Sequence, residues 1–326
     1  MINYNYYKES VGELSRALEV AYWRIMYIIG IDGGGTKTVG ILATETGQCL
    51  AEVQAGPANY HVVVETETQA VLENLIEELC EKASVSRTSP IRFCLGMAGL
   101  GRPADQEVIG RICDDLGIQD NRILTHDAHI ALVGGTEKQE GVIIISGTGA
   151  IAYGINAHGR EARASGWGYL LGDEGSGYDI ALKGLRAVAR AADGRDTPTE
   201  LTDRILNRLE LNEPSELIRW VHAASRDAIA HWAEIVFDAA QAEDGVAGRI
   251  IDGAADELVC AARCVIEQLG FGKSFDVVLS GGNLVHQPMF VDKIRQQFAE
   301  IQPEAVVRLP KHEPAYGAVL LAQMKL

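Results

Sequence analysis

From residue 26 the chain opens with three short apolar runs separated by turns. Tyr27 to Ile31, Thr38 to Thr44 and Leu50 to Gln54 each have the length and content of a strand. The connections are a glycine-rich stretch, Gly33-Gly34-Gly35-Thr36-Lys37, and a turn at Thr46-Gly47-Gln48, both too short for a helix. This order predicts a β-meander. The period then changes: Leu72, Leu75, Ile76 and Leu79 share one face of a helix expected from Thr66 to Lys82. A strand at Ile91 to Gly99, a helix from Pro103 to Leu116 and a strand at Arg122 to Ala128 follow.

At Gly141 the opening plan recurs. An apolar strand ends in Ile145-Ser146 where the first ends in Ile31-Asp32; a Gly-Thr-Gly turn, a second strand, a glycine turn at Gly159 and a third strand follow. Helices are predicted at Ser176 to Ala192, Thr199 to Leu209, Glu213 to Ala223, Arg226 to Ala242 and Ala247 to Leu269. The chain closes with a strand at Phe275 to Gly282, a helix from Met289 to Phe298, a strand at Ala305 to Pro310 and a helix from Ala315 to Met324. The class is mixed α/β.

The first turn is no Walker loop, because Thr36 stands where a lysine should follow Gly35, and no dinucleotide fingerprint, because a strand follows it rather than a helix. What the two turns share is glycine, whose missing Cβ lets backbone N–H groups approach an anion. A repeated pair of such turns suits a polyphosphate.

Composition narrows the function further. At 326 residues and 47% hydrophobic, the chain can bury two domain cores. A net charge of −16 argues against a nucleic-acid partner. Apolar runs such as Gly141 to Ser146 fall far short of the roughly 20 residues that span a bilayer, so no membrane partner is expected. Six scattered cysteines without a secretion signal read as reduced thiols in a cytoplasmic protein, with Cys260 and Cys264 packed in the core of a helix. Residues 1–25 read as an N-terminal extension, amphipathic through Val11, Leu14, Leu18, Tyr22 and Ile25, with Met26 as an alternative start.

The strand-DGGGTKT-strand unit, the later SGTG turn, GWGYLLGDEGSGY and LSGG, in that order, resemble the BadF/BadG/BcrA/BcrD ATPase family. This is a branch of the sugar-kinase, Hsp70 and actin superfamily that includes N-acetylglucosamine kinases. The resemblance implies a two-lobed, actin-like, ribonuclease H-like ATPase with a cleft between its lobes. It places the small lobe at residues 26–137 plus 311–326 and the large lobe at 138–310. It implies ATP and Mg²⁺, a small-molecule sugar as partner, and leaves open whether the chain forms a homodimer.

The family's roles fall on particular residues. Asp32 resembles the acid that orients Mg²⁺, and Gly34, Gly35, Thr36 and Lys37 face the phosphates. Gly147, Thr148 and Gly149 resemble the second phosphate hairpin, although the family often carries a serine where this chain has Ala150. Gly281, Gly282 and Asn283 match the nucleotide side. Asp127, at the end of its strand, holds the place of the general base, the group that removes the hydroxyl proton as the new phosphorus bond forms. Its neighbours His126 and His129 lack a third zinc ligand in sequence. Asn59, Asp127, Trp167 and Asp173 match the sugar contacts; carboxylates accept sugar hydroxyls while an apolar surface covers the ring. The expected reaction is ATP-dependent phosphorylation of the 6-hydroxyl of N-acetylglucosamine or a related amino sugar. Glucosamine, N-acetylmuramic acid and glucose remain open as substrates. So does a second class of function, an activator-type ATPase that drives an electron-transfer partner.

Overall fold

The structure, a computed structural model of the chain, describes residues 26–119, 121–272 and 274–325. The extension expected over residues 1–25 lies outside them. The described residues form two compact units, one running to Glu137 and resuming at His312, the other spanning Lys138–Lys311.

Unit 1 is a five-stranded sheet in the order β3-β2-β1-β4-β5. β1 (Tyr27–Gly33), β2 (Thr38–Thr44) and β3 (Cys49–Ala55) form an antiparallel meander, whereas β4 (Ile91–Met97) and β5 (Arg122–His126) run parallel to β1. Both faces of this sheet are covered, which is why β1 reads as a nearly continuous apolar run. Ile29 and Ile31 pack with Leu72, Leu75 and Ile76 of the helix Glu65–Ala83, and with Ile109 and Ile112 of the helix Pro103–Asp115. On the other face Ile28 and Cys94 meet Ile130 of the helix Asp127–Thr136 and Ala318 and Val319 of the closing helix Pro314–Met324. The last two helices approach so closely that a Cβ on Gly317 would overlap the Ile130 carbonyl and the Gly134 backbone. Glycine there fixes the helix that Asp127 opens.

Unit 2 repeats the plan in a second five-stranded sheet, β10-β9-β6-β7-β8. β6 (Gly141–Ser146), β7 (Ala150–Ile155) and β8 (Glu161–Ser165) make the antiparallel meander, and β9 (Phe275–Ser280) and β10 (Ala305–Arg308) lie parallel to β6. The repeat therefore extends past the meander to all five strands. The long helix Gly245–Leu269 packs Ala255, Leu258, Ala262 and Val265 into this unit's core.

Two expectations are corrected. The helix predicted from Arg226 to Ala242 is two helices, Arg226–Ala230 and Ala233–Gln241. The chain tightens at His231 and Trp232, where the Trp232 N–H bonds the Ile229 carbonyl three residues back and its ring meets Trp220 edge-on at 5.2 Å. Cys260 is exposed and Cys264 half-buried, because residues four apart share a helix face and this face turns away from the core that Leu258 and Val259 enter.

Candidate active site

In open α/β sheets, ligands gather at the carboxyl ends of the parallel strands. In unit 1 those ends carry Asp32 on β1 and Asp127 directly after β5. The loop Gly34 to Lys37 closes on itself through the Gly34 N–H donating to the Lys37 carbonyl at 3.0 Å, with Thr36 and Lys37 exposed. The Gly34 carbonyl in turn accepts from the N–H groups of Ala58 and Asn59, at 3.1 and 3.2 Å, so the Asn59 loop is tied to the first turn. Asn59 Oδ1 accepts from the His61 N–H at 3.0 Å, an Asx turn that leaves Nδ2 out of the arrangement.

Asp127 is the first residue of its helix, and the cap is His126, whose Nδ1 accepts from the His129 N–H at 3.3 Å. Asp127 Oδ1 accepts from the Ala128 N–H at 2.9 Å, which orients the carboxyl group at the helix start. Burial pushes the pKa of Asp32 up to about 7; Asp127 adds to this, Lys37 opposes it and Glu313 adds again. Glu313 is a participant that sequence reading missed, since it lies far along the chain and arrives with the closing helix. Among the described residues no group of three or more His, Cys, Asp or Glu is arranged to hold a metal by itself.

Unit 2 places the turn Gly147-Thr148-Gly149 between β6 and β7, closed by the Gly147 N–H donating to the Gly149 carbonyl at 2.9 Å. Ser146 stands where unit 1 has Asp32. It is fully buried, donates from Oγ to the Gly175 carbonyl at 2.7 Å, and accepts from Asn283 Nδ2 at 3.0 Å. Asn283 Nδ2 also donates to the Gly147 carbonyl at 3.1 Å. The amide expected on the nucleotide side thus braces the second turn. Gly281 has φ +91° and its Cα faces the Ser146 backbone, where a Cβ would overlap; Gly282 begins the short helix Gly282–Val285 rather than a plain turn.

Asp173 is buried, with φ +59°, a left-handed conformation uncommon outside glycine that Asp tolerates better than most. It does not cap the helix Gly177–Ala192; Ser176 does, accepting from the Asp179 N–H. Asp173 Oδ1 accepts from the Gly168 N–H at 3.3 Å, and Arg226 Nη2 approaches Oδ2 at 3.4 Å. Burial raises its pKa, partly offset by Arg226 and by backbone N–H donors. Trp167 is 66% exposed, with Arg163 over its ring at 5.6 Å. Arg226 escaped sequence reading because nothing distinguishes it from other helical arginines.

Two sheets of one repeated plan, each with a glycine turn at the carboxyl end of its first strand, define an α/β ATPase of the actin-like kind. The chain belongs to the BadF/BadG/BcrA/BcrD ATPase family, whose model matches residues 29–322. It is 37% identical over 300 residues to an N-acetylmuramic acid/N-acetylglucosamine kinase of Clostridium acetobutylicum, covering 91% of this chain and 98% of that protein. It is 35% identical over 308 residues to an N-acetyl-D-glucosamine kinase of Dictyostelium discoideum, covering 90% and 97%. A solved structure from Chromobacterium violaceum, described as a candidate N-acetylglucosamine kinase, superposes with a TM-score of 0.76 at 25% identity over 91% of this chain and 98% of its own. A ROK-family glucokinase from Streptomyces griseus shares the fold, at TM-score 0.56 and 16% identity, covering 91% of this chain and 98% of that one.

Proposed function

We propose that this chain is an ATP-dependent kinase of an amino sugar, phosphorylating the 6-hydroxyl of N-acetylglucosamine or a close relative. The observation that carries the reading is Asp127, fixed at a helix start and close enough to Asp32 for the two carboxylates to influence each other. In the reaction the Asp127 carboxylate accepts the proton of the sugar hydroxyl. The new bond forms between that oxygen and the γ-phosphorus, the bond from phosphorus to the β,γ-bridging oxygen breaks, and ADP leaves. The N–H groups of the two glycine turns and the Lys37 ammonium would receive the phosphates; Asn59 and Asp173 would hold sugar hydroxyls, with Trp167 over the ring.

The residues around Asp32 fit a magnesium ion. Asp127 and Glu313 bring carboxylates near Asp32, and burial, with those carboxylates adding, holds the Asp32 carboxyl up at about 7, a cost to its charged form that a hard cation would offset. Mg²⁺ characteristically keeps several waters and takes one or two carboxylates plus substrate phosphates, so Asp32 would hold it without a dedicated protein cage. When bound, the ion supplies neutralisation of phosphate charge.

A coupled assay of ADP release over amino sugars and hexoses, with ATP and Mg²⁺, tests the reading. The expected result is sugar-dependent ADP formation strongest with N-acetylated amino sugars. ATP turnover independent of every sugar would overturn it.

A further inference from the structure

The loop that carries Asn59 has a second anchor besides the first glycine turn. On one side the Gly34 carbonyl holds the N–H groups of Ala58 and Asn59. On the other lies Asp105, 4% exposed, in the first turn of the helix Pro103–Asp115. The two oxygens of this carboxylate serve different elements. Oδ2 accepts from the Arg102 N–H at 3.0 Å, the ordinary task of an acid in the opening turn of a helix. Oδ1 accepts from the Tyr60 hydroxyl and stands 3.2 Å from His61 Nε2. A helix start needs only the Oδ2 contact; the Oδ1 contacts reach a loop 45 residues earlier in the chain.

The contact is built to persist. Burial opposes the Asp105 charge, but the donors from Tyr60, Arg102 and His61 outweigh it and hold its pKa below the ordinary carboxylate value. Burial, and after it the bond to Asp105, push the Tyr60 hydroxyl up to about 12, so the phenol keeps the proton it donates. The Tyr60 and His61 rings lie side by side, their centroids 4.1 Å apart. Asn59 is caught next to this pair. Its Oδ1 accepts from the His61 N–H, and a Cβ on Gly99, whose φ is +87°, would lie 2.7 Å from His61 Cδ2 and 3.3 Å from Asn59 Oδ1. Its Nδ2 is turned the other way, 3.9 Å from where a Cβ on Gly35 would stand. Where His61 is held therefore decides where the Asn59 amide points.

We infer that Asp105 is a positioning residue: by holding Tyr60 and His61 it fixes the Asn59 loop over the first glycine turn, and so sets how tightly the acceptor is bound without touching either substrate. The lever is geometric, because a side chain must be held within about 0.5 Å of its productive place to act at full strength. The inference rests on the kinase reading and adds to it the device that keeps one of its binding loops in place.

The test uses the full chain with N-acetylglucosamine as the sugar. Tyr60→Phe, which keeps the ring and removes the donor, and Asp105→Asn should each raise the KM for the sugar about 10-fold, the scale of one hydrogen bond to a charged group, while kcat and the KM for ATP stay near wild type. His61→Gln keeps an N–H donor and should retain the wild-type KM where His61→Ala does not. Hydrogen exchange on the ligand-free protein reads the loop independently of turnover. The amides of Asn59, Val62 and Val63, which donate to the Gly34 and Asn59 carbonyls, should lose protection in Tyr60→Phe while the amides of β1 keep theirs. An unchanged sugar KM would overturn the inference, and so would protection lost evenly through unit 1, which would make the contact one of stability alone. If the wild type turns over no sugar, the kinase reading fails by itself, and the exchange of these three amides decides whether Asp105 holds the loop.

Discussion

At matching places in the repeat, β1 ends in Asp32 and β6 ends in Ser146. Asp32 stands among other carboxylates, with its pKa raised to about 7 and the exposed Thr36 and Lys37 beyond it. Ser146 is buried, neutral and hydrogen-bonded on both sides, to Gly175 and from Asn283. The same backbone plan thus carries an acidic turn, its carboxyl desolvated by burial, in unit 1 and a braced, electrically quiet one in unit 2. Duplicated geometry has been given divided labour. Asp32 and Asp127 stand at the strand ends of unit 1, and in unit 2 the charge lies off the strand on the Arg226–Asp173 pair.

The sharpest way to break this comparison is Asp127→Asn. Turnover should fall by about 10²-fold or more, the scale of removing a general base, while ATP affinity measured by calorimetry stays near wild type. Retained turnover would move the base away from unit 1. Asp32→Ala should give a smaller loss that eases as Mg²⁺ is raised; a defect indifferent to metal concentration would remove the metal role from Asp32.

The unit 2 side of the comparison is tested through stability. Gly281→Ala forces a Cβ into the Ser146 backbone from a positive φ and should cost about 1–3 kcal/mol in denaturant unfolding, with the second turn displaced. Asn283→Ala should cost about 1 kcal/mol by removing the brace on Ser146 and Gly147. If Asn283→Ala instead abolishes nucleotide binding with stability unchanged, the amide acts on the nucleotide and not on the turn.

A further test is a pH signature. Because the folded pKa of Asp32 lies above its unfolded value of 3.8, the folded chain holds a proton that the unfolded chain has released between about pH 4 and 7. The contribution to stability is full below pH 4 and is lost as pH rises through about 7. Asp32→Asn should therefore stabilise the ligand-free protein at pH 8, an advantage that fades towards pH 4. The matching Ser146→Ala should show no such pH trend. A flat difference for Asp32→Asn across that range would remove the raised Asp32 pKa from the unit 1 turn.

Much of this was legible because strands, glycine turns and their repetition are local patterns. The alternation from Tyr27 to Gln54 and its return at Gly141 needed no knowledge of distant contacts. The break at Trp232 was hidden because apolar periodicity runs unbroken from Arg226 to Ala242; the tightened turn on the Ile229 carbonyl and the edge-on contact with Trp220 show it. Cys260 was misread because apolar neighbours on both sides in sequence are not neighbours on a helix face. Within the site, Asp32 and Asp127 were visible as strand-end acids. Glu313 and Arg226 were not, since each gains its meaning from a residue about 50 or more positions away.

The closing helix has a consequence for the order in which the protein can be made. Its Ala315, Ala318, Val319 and Leu321 complete the second face of the unit 1 sheet, and Gly317 is what lets it seat against the Asp127 helix. Unit 2 is one continuous stretch and has all its strands once residue 311 is free of the ribosome. Unit 1, although translated first, lacks the closing helix that packs on Ile28, Ile130 and Val133 until the end of the chain emerges. Domains usually mature from the N-terminus as they are synthesised. Here, among the described residues, the half made first is the last to have all its elements.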